Sequence, residues 1–176
     1  MTAGMISVTV DDAQVLSLLK QISQRCSNMQ PAMAEVGQEL AERVRQGFSN
    51  STSPYGDKWS ALSAVTQAMR KGKRASGQPL LDTGRLRNSI SSSASATSAS
   101  ATSATVGTNV IYAGTHQYGA KQGQYGKTKR NGPVPYGNVP ARPFLPIQGA
   151  RAVLPQDWKA SVLEILQDHV LAGQGR

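Results

Sequence analysis

Apolar residues recur at steps of three and four between residues 31 and 48, and this is the clearest pattern in the chain. The apolar positions are Met33, Val36, Leu40, Val44 and Phe48. The opposite face carries charged residues, namely Glu35, Glu39, Glu42, Arg43 and Arg45. Side chains three and four positions apart lie on one face of a helix. The spacing therefore predicts an amphipathic helix from Pro31 to Phe48, with its apolar stripe buried and its charged face in solvent.

Two further helices are predicted on either side of it. The first has an apolar stripe that we expect to be buried, made of Val15, Leu16, Leu18, Leu19 and Ile22. Asp11 or Asp12 can cap it by accepting bonds from its free N–H groups, and Cys26 is expected to be a small buried residue. The last helix begins near Pro155, and its apolar side consists of Trp158, Val162, Ile165, Leu166 and His169.

Shorter elements are predicted from local patterns. Ile6 to Val10 alternates apolar and polar residues, as a strand does. Short helices are expected at Ser63–Met69, at Arg85–Ile90 after the cap-like Asp82-Thr83, and at Tyr112–Tyr118. Residues 91–105 consist almost wholly of Ser, Ala and Thr, which is compatible with a flexible linker or with a weakly specified hairpin.

A long segment rich in glycine and proline follows at residues 119–138. Such a loop inside a compact domain is usually functional or disordered. Val139–Ile147 is extended and spaced by prolines, so it can supply an edge strand but not a central one. We expect a single α+β domain over residues 1–176, with a small, mostly antiparallel sheet packed on the 31–48 helix. Exposed loops are expected near residues 70–79 and 119–138.

Composition and charge narrow the possible partners. The hydrophobic share of 39% predicts a modest core, and no apolar run is long enough to cross a bilayer. No signal-peptide pattern opens the chain, so we do not expect secretion. The net charge is +9 and lies mainly in two basic islands, residues 70–87 and residues 121–142. These islands could contact an acidic partner or could be solvated loops that keep the protein soluble.

No catalytic, cofactor or metal site is predicted. His116 has no nucleophile or second well-placed histidine around it in the sequence, so a structural role is favoured over general-base catalysis. Asp82-Thr83-Gly84 matches the aspartic protease triplet, but that mechanism needs two such carboxylates and the chain offers one triplet. One cysteine and two histidines cannot supply the usual metal-ligand spacings. The chain is therefore predicted not to be an enzyme.

Three segments in order carry a family resemblance: Pro79–Ile90 (PLLDTGRLRNSI), Val106–Gly119 (VGTNVIYAGTHQYG) and Val139–Leu145 (VPARPFL). After a long helix, this set resembles the phage virion morphogenesis family, the tail-completion proteins of Mu-like and related tailed phages. The resemblance implies a structural protein that completes the tail and takes part in head–tail joining. It also implies a ring, commonly a hexamer, located in the virion tail or neck and in the host cytoplasm during assembly. It favours a hairpin within residues 91–105.

Two sets of contact residues are predicted on this basis. The subunit or partner interface is predicted to include Arg142, Phe144, Leu145 and Tyr136, although ordinary core packing is an alternative for the first three. The basic contact surface is predicted to comprise Arg70, Lys71, Lys73, Arg74, Lys121, Lys127, Lys129 and Arg130. Other neck and tail proteins are expected partners, together with non-specific contact to genomic DNA in a channel. The competing hypothesis is a non-specific DNA-binding accessory protein.

Overall fold

The computed structural model describes residues 12–70, 77–91, 97–99, 103–149 and 151–171. Six helices and four short strands occur in these ranges, and they confirm an α+β fold. In chain order they are α1 Ala13–Ser27, α2 Gln30–Asn50, α3 Ala64–Met69, α4 Arg85–Ser91, β1 Thr97–Ala99, β2 Ala104–Val106, α5 Ala113–Tyr118, β3 Ile147–Gln148, β4 Arg151–Ala152 and α6 Gln156–Leu171. The strand predicted at Ile6–Val10 and the cap at Asp11 lie outside the described residues, as do Lys71, Lys73 and Arg74.

Helix α2 is the centre of the fold and confirms the predicted 31–48 helix, with a few added residues at its ends. Pro31 lies in its first turn, where a missing N–H costs no helical bond. The buried face runs through Ala32, Val36, Gly37, Ala41, Val44 and Phe48. α2 packs against α4, α6, β1 and β2. The helix ends at Ser51, which adopts a left-handed conformation with φ 55°.

Three aromatic rings form the middle of the core. Phe48 is fully buried, its ring centroid lies 5.4 Å from that of Trp59 in an edge-on arrangement, and Phe144 lies 5.5 Å away on another side. The Trp59 indole donates its N–H to the carbonyl oxygen of Pro143 at 2.8 Å. Aromatic pairs at these separations add to the stabilisation from burial. Leu86 and Ile90 of α4, together with Trp158 of α6, complete this cluster.

The strands form two small antiparallel hairpins. Thr97 pairs with Val106 and Ala99 with Ala104, so the hairpin favoured within residues 91–105 is confirmed. Both of its strands pack on α2. The second hairpin pairs Ile147 with Ala152.

The buried stripe predicted for α1 is wrong. Val15, Leu16 and Leu19 are all more than half exposed, and no residue of this helix is buried. Its main neighbour in the described ranges is α6, and Arg25 Nη1 donates to the Val170 carbonyl oxygen at 3.3 Å near the ends of both helices. A single neighbour covers only part of a helix face, so much of the stripe stays in solvent.

Two local predictions for α1 also differ from the structure. Asp12 occupies the N-cap position, but its side chain accepts no capping bond, since its backbone torsions are not the extended ones that favour such a bond. Cys26 is exposed rather than buried, on a helix whose main neighbour in the described ranges is α6.

The C-terminal helix confirms its prediction and is joined to α2 by one arginine. Trp158 is buried, and the other residues of its predicted apolar side are half-buried. Arg43 of α2 pairs with Glu39 at 2.7 Å and with Asp157 of α6 at 3.0 Å. Its Nη2 also donates to Ser161 Oγ at 2.5 Å. This network fixes the approach of the two helices.

The edge strand predicted at Val139–Ile147 is wrong. Val139 makes an isolated bridge to Ala120, and regular pairing begins only at Ile147. Pro140, Pro143 and Pro146 have no backbone N–H, so the segment cannot sustain a ladder of hydrogen bonds. The segment instead follows an irregular path that points Arg142 and Phe144 inward.

Candidate interaction surfaces

A buried glutamine on α5 holds the segment that follows the long loop. Gln117 is 4% exposed, and its Oε1 accepts hydrogen bonds from the backbone N–H groups of Phe144 and Leu145, both at 3.0 Å. Its Nε2 donates to the Leu145 carbonyl oxygen at 3.0 Å. One side chain thereby satisfies backbone groups that a neighbouring strand would otherwise satisfy. No sequence signal predicted this role of Gln117, because it lies far along the chain from the segment that it holds.

Two of the residues predicted for the subunit interface are buried inside the subunit. Phe144 is 2% exposed within the aromatic core, and Arg142 is 6% exposed. Leu145 is half-buried against the same core. The alternative of packing within the subunit therefore holds for Phe144 and for most of the Arg142 side chain, and the remaining surface of Arg142 lines the cleft described below. Tyr136 is 70% exposed, and its role in an interface stays a prediction.

The loop at residues 119–138 is folded, although it contains little regular structure. Ala120 and Val139 exchange two backbone hydrogen bonds of 2.9 and 2.8 Å at its base. Further out, Tyr125 N–H donates to the Val134 carbonyl oxygen at 2.8 Å, and Lys127 bridges to Pro133. The loop is therefore an ordered projection whose backbone groups bond mainly to one another.

The base of this loop requires glycine at one position. Gly119 ends α5 with φ 77°, a conformation that L-residues with a Cβ rarely adopt. A Cβ at this site would lie 2.8 Å from the Val139 carbonyl oxygen and 2.9 Å from the Ala141 nitrogen. Gly119 thus allows the loop to leave α5 and return beside it.

The predicted basic surface is divided between two environments. Lys121, Lys127, Lys129 and Arg130 are all exposed on the 119–138 loop. Arg70 is half-buried instead, and its Nη1 donates to the Gln78 carbonyl oxygen at 2.7 Å. Arg70 is therefore not freely exposed, whereas the four cations of the 119–138 loop are.

Arg142 and His116 lie on a cleft of about 670 Å³ between the start of α3, the start of α4 and α5. We call it the α3–α5 cleft. Its walls consist of Ala61, Leu62, Ser63, Thr66, Arg70, Leu80, Asp82, Thr83, Gly84, Arg85, Leu86, Tyr112, His116, Asn138, Val139, Pro140 and Arg142. The cleft is not predictable from local sequence patterns, because its residues come from separated parts of the chain.

Basic side chains determine the charge of the cleft. Burial lowers the pKa of His116, and the nearby charge of Arg142 lowers it further. Burial likewise lowers the pKa of Arg142, with a contribution from the like charge of Arg70. The Tyr112 ring meets the His116 ring edge-on at 5.7 Å between centroids. His116 Nδ1 is buried without a hydrogen-bond partner in the described part of the chain, so no carboxylate there orients this imidazole as a base.

In the described ranges, no group of three or more His, Cys, Asp or Glu residues is placed to hold a metal ion. None of the helices in those ranges is long and apolar enough to span a membrane.

Comparisons with known proteins point to one family. The model of the phage virion morphogenesis family matches residues 10–170. Among curated proteins, the Mu-like prophage FluMu G protein 2 of Haemophilus influenzae is 31% identical over 166 residues, which cover 94% of this chain and 96% of that protein. No solved structure matches the chain.

Proposed function

The chain belongs to the phage virion morphogenesis family, and we propose that its part in virion assembly is to complete the tail and to join it to the head. In this proposal six copies of the chain form a ring at the tail end or neck, where they contact other neck and tail proteins. The chain is a structural component and not an enzyme. Its place is the tail or neck of the virion, and the host cytoplasm during assembly.

The observation that carries this proposal is the ordered 119–138 loop. Its base is fixed by the Ala120–Val139 pair, yet Tyr125 and Tyr136 are both more than half exposed on it. Aromatic side chains are enriched at protein interfaces. A folded loop that exposes aromatic rings is therefore a suitable surface for contact with another subunit. A ring needs a heterologous contact, in which one surface of a subunit meets a different surface of the next.

Replacing the loop tests the proposal. Because Ala120 and Val139 already pair across antiparallel backbones, residues 121–138 can be replaced by an Asn-Gly turn without stretching the base. We expect the variant to remain folded, as judged by its melting curve, but to form no rings in light scattering. In cells that produce the variant and are infected with a phage lacking the gene for this chain, heads and tails should accumulate unjoined. Electron micrographs would show them.

Tyr118→Ala is the matched control, since Tyr118 is 62% exposed but precedes the loop. It should support normal joining. Normal ring formation and normal yields of infectious particles from the loop-replaced protein would overturn the proposal.

The second candidate function is non-specific DNA binding. It is favoured by the exposed Lys127, Lys129 and Arg130 on the same loop as Tyr125 and Tyr136. Cations neutralise phosphates and aromatic rings stack on unpaired bases. Binding of duplex DNA by the isolated protein, weakening steeply with salt, would support this function.

A further inference from the structure

The α3–α5 cleft contains an arginine held in place without a carboxylate partner. Arg142 Nε donates to the Ser60 carbonyl oxygen at 2.8 Å, and Nη2 donates to the Ala61 carbonyl oxygen at 3.0 Å. Its backbone N–H is also bonded, to the His116 carbonyl oxygen at 2.7 Å. These bonds fix the guanidinium but leave Nη1 without an acceptor in the described part of the chain. A buried guanidinium with an unbonded Nη1 is stabilised by an anionic partner.

More positive charge surrounds Arg142 than negative charge. Arg70 and Arg85 also line the cleft, whereas Asp82 is the one carboxylate among its described lining residues. The cleft therefore favours an anion.

His116 adds a polar group at the same wall. Its Nδ1 is buried and has no partner in the described ranges, and the residue lines the cleft. A neutral imidazole can donate one hydrogen bond from Nε2 to a carboxylate oxygen. The cleft thus offers donors of two kinds, a guanidinium and an imidazole.

Several of the remaining lining residues are apolar, and they favour an acidic peptide over other anions. They include Leu62, Leu80, Leu86, Val139 and Pro140. A sugar–phosphate backbone gains nothing from such walls, and Arg142 is too deeply placed for a duplex to reach. An extended peptide can place a carboxylate on the guanidinium and an adjacent apolar side chain on the leucines.

We propose that the α3–α5 cleft binds a peptide segment of another protein in which acidic and apolar residues alternate. Arg142 and Arg70 hold a carboxylate, and the apolar walls hold the neighbouring side chain. A second copy of this chain is the weaker occupant, since its sequence contains no stretch in which acidic and apolar residues alternate. That the bound segment belongs to a virion protein rests on the proposed assembly function.

A peptide titration of the isolated, full-length protein tests the proposal. The probe is an end-blocked, fluorescently labelled peptide of alternating leucine and aspartate, compared with the same peptide carrying asparagine in place of aspartate. We expect saturable binding that is about tenfold tighter for the aspartate peptide, as one charge-assisted pair would give. Binding should also raise the pH at which the NMR signals of His116 titrate, because a nearby carboxylate favours the charged imidazole.

Variants locate the site on the protein. Arg142→Gln removes bonds to two backbone carbonyls and could unfold the chain, so the test uses Arg70→Gln with Arg85→Gln. This pair should weaken aspartate-peptide binding about tenfold. The matched control is Arg87→Gln with Arg151→Gln, which removes the same charge from residues that do not line the cleft. It should bind the peptide as the unmodified protein does.

Several results would overturn the proposal. They are equal binding of the two peptides, the absence of saturable binding at millimolar peptide, and equal loss of binding in the control pair. Competition by inorganic phosphate or by a dodecamer of deoxythymidine as strong as that of the peptide would indicate a general anion site or a nucleic-acid site instead. Because this titration uses no virions, its failure leaves loop-dependent head–tail joining intact, and a failure of the loop test leaves the peptide result intact.

Discussion

At the scale of single residues, the notable feature is how polar side chains are used inside the subunit. Gln117 and Arg142 are both buried, and each bonds to backbone groups far away in sequence. An unsatisfied buried carbonyl or N–H costs about 1–3 kcal/mol. These side chains therefore stabilise the irregular segments around residues 60 and 144, where no regular ladder of hydrogen bonds is available.

His116 is expected to make the stability of the protein depend on pH. Burial and Arg142 lower its pKa in the folded state below the unfolded value of about 6.5. The unfolded chain consequently takes up this proton first as the pH falls, so stability that is present above pH ~6.5 is lost on acidification toward the folded-state pKa. His116→Gln should flatten this part of the stability curve between about pH 6.5 and 5, above the range where carboxylates titrate.

Urea denaturation across that range checks the prediction. The unmodified protein should lose stability toward pH 5 more steeply than the variant does. Equal slopes for the two proteins would show that His116 is not the group responsible. Virion infectivity should be retained by the variant at reduced temperature, since no catalytic role is predicted for this residue.

At the scale of elements, burial separates helices whose sequence patterns are alike. α1 and α2 both have apolar residues at helical spacing, but α2 is covered by α4, α6 and the first hairpin, whereas α6 is the main described neighbour of α1. Leu40, on the predicted buried stripe of α2, is itself only half-buried. A position on an apolar face therefore does not by itself measure how much a side chain contributes to stability.

A pair of identical substitutions makes this quantitative. Val44 is 2% exposed on α2, so Val44→Ala should cost roughly 1.5–3 kcal/mol from lost burial and the cavity left behind. Val15 is 55% exposed on α1, so Val15→Ala should change stability by no more than about 0.5 kcal/mol. Both changes remove the same atoms, and urea denaturation measures the difference. Equal costs would show that α1 is covered to the same extent as α2.

At the scale of the whole molecule, charge and shape combine in the 119–138 loop. Four exposed cations lie on this loop, which contains no acidic residue. Single exposed ion pairs are worth at most about 1 kcal/mol. Any contribution from this loop to assembly or to DNA contact must therefore be collective, and salt must weaken it.

Replacing three of these cations together tests the collective effect. We expect Lys127→Gln, Lys129→Gln and Arg130→Gln to leave the melting temperature nearly unchanged, because all three side chains are exposed. The triple variant should impair head–tail joining or genome retention, and more severely as salt rises. The control replaces Lys20, Lys159 and Arg151, which are exposed elsewhere, and should have little effect.

The same change at Lys71, Lys73 and Arg74 examines the other basic island. Full yields of infectious particles from both triple variants at every salt concentration would mean that the charge only keeps the protein soluble. Assembly would then depend on shape and apolar contacts.

Local signals were sufficient for the elements whose stability is largely local. The period of apolar residues in α2 and α6 predicted both helices, since one covered face is enough to define them. Ser63 predicted the start of α3, and its side chain does accept the Thr66 N–H at 3.2 Å. The short ordered motifs indicated the family, which the family match confirms.

Tertiary structure decided the rest, because periodicity shows which face is apolar but not whether anything covers it. Val15 and Val44 occupy similar patterns, yet only Val44 has neighbours on all sides. The extended appearance of Val139–Ile147 predicted an edge strand, but Gln117 supplied the hydrogen bonds that a partner strand would have supplied. The α3–α5 cleft forms because the fold brings Arg70, His116 and Arg142 to one place, and no local pattern in the sequence predicts this.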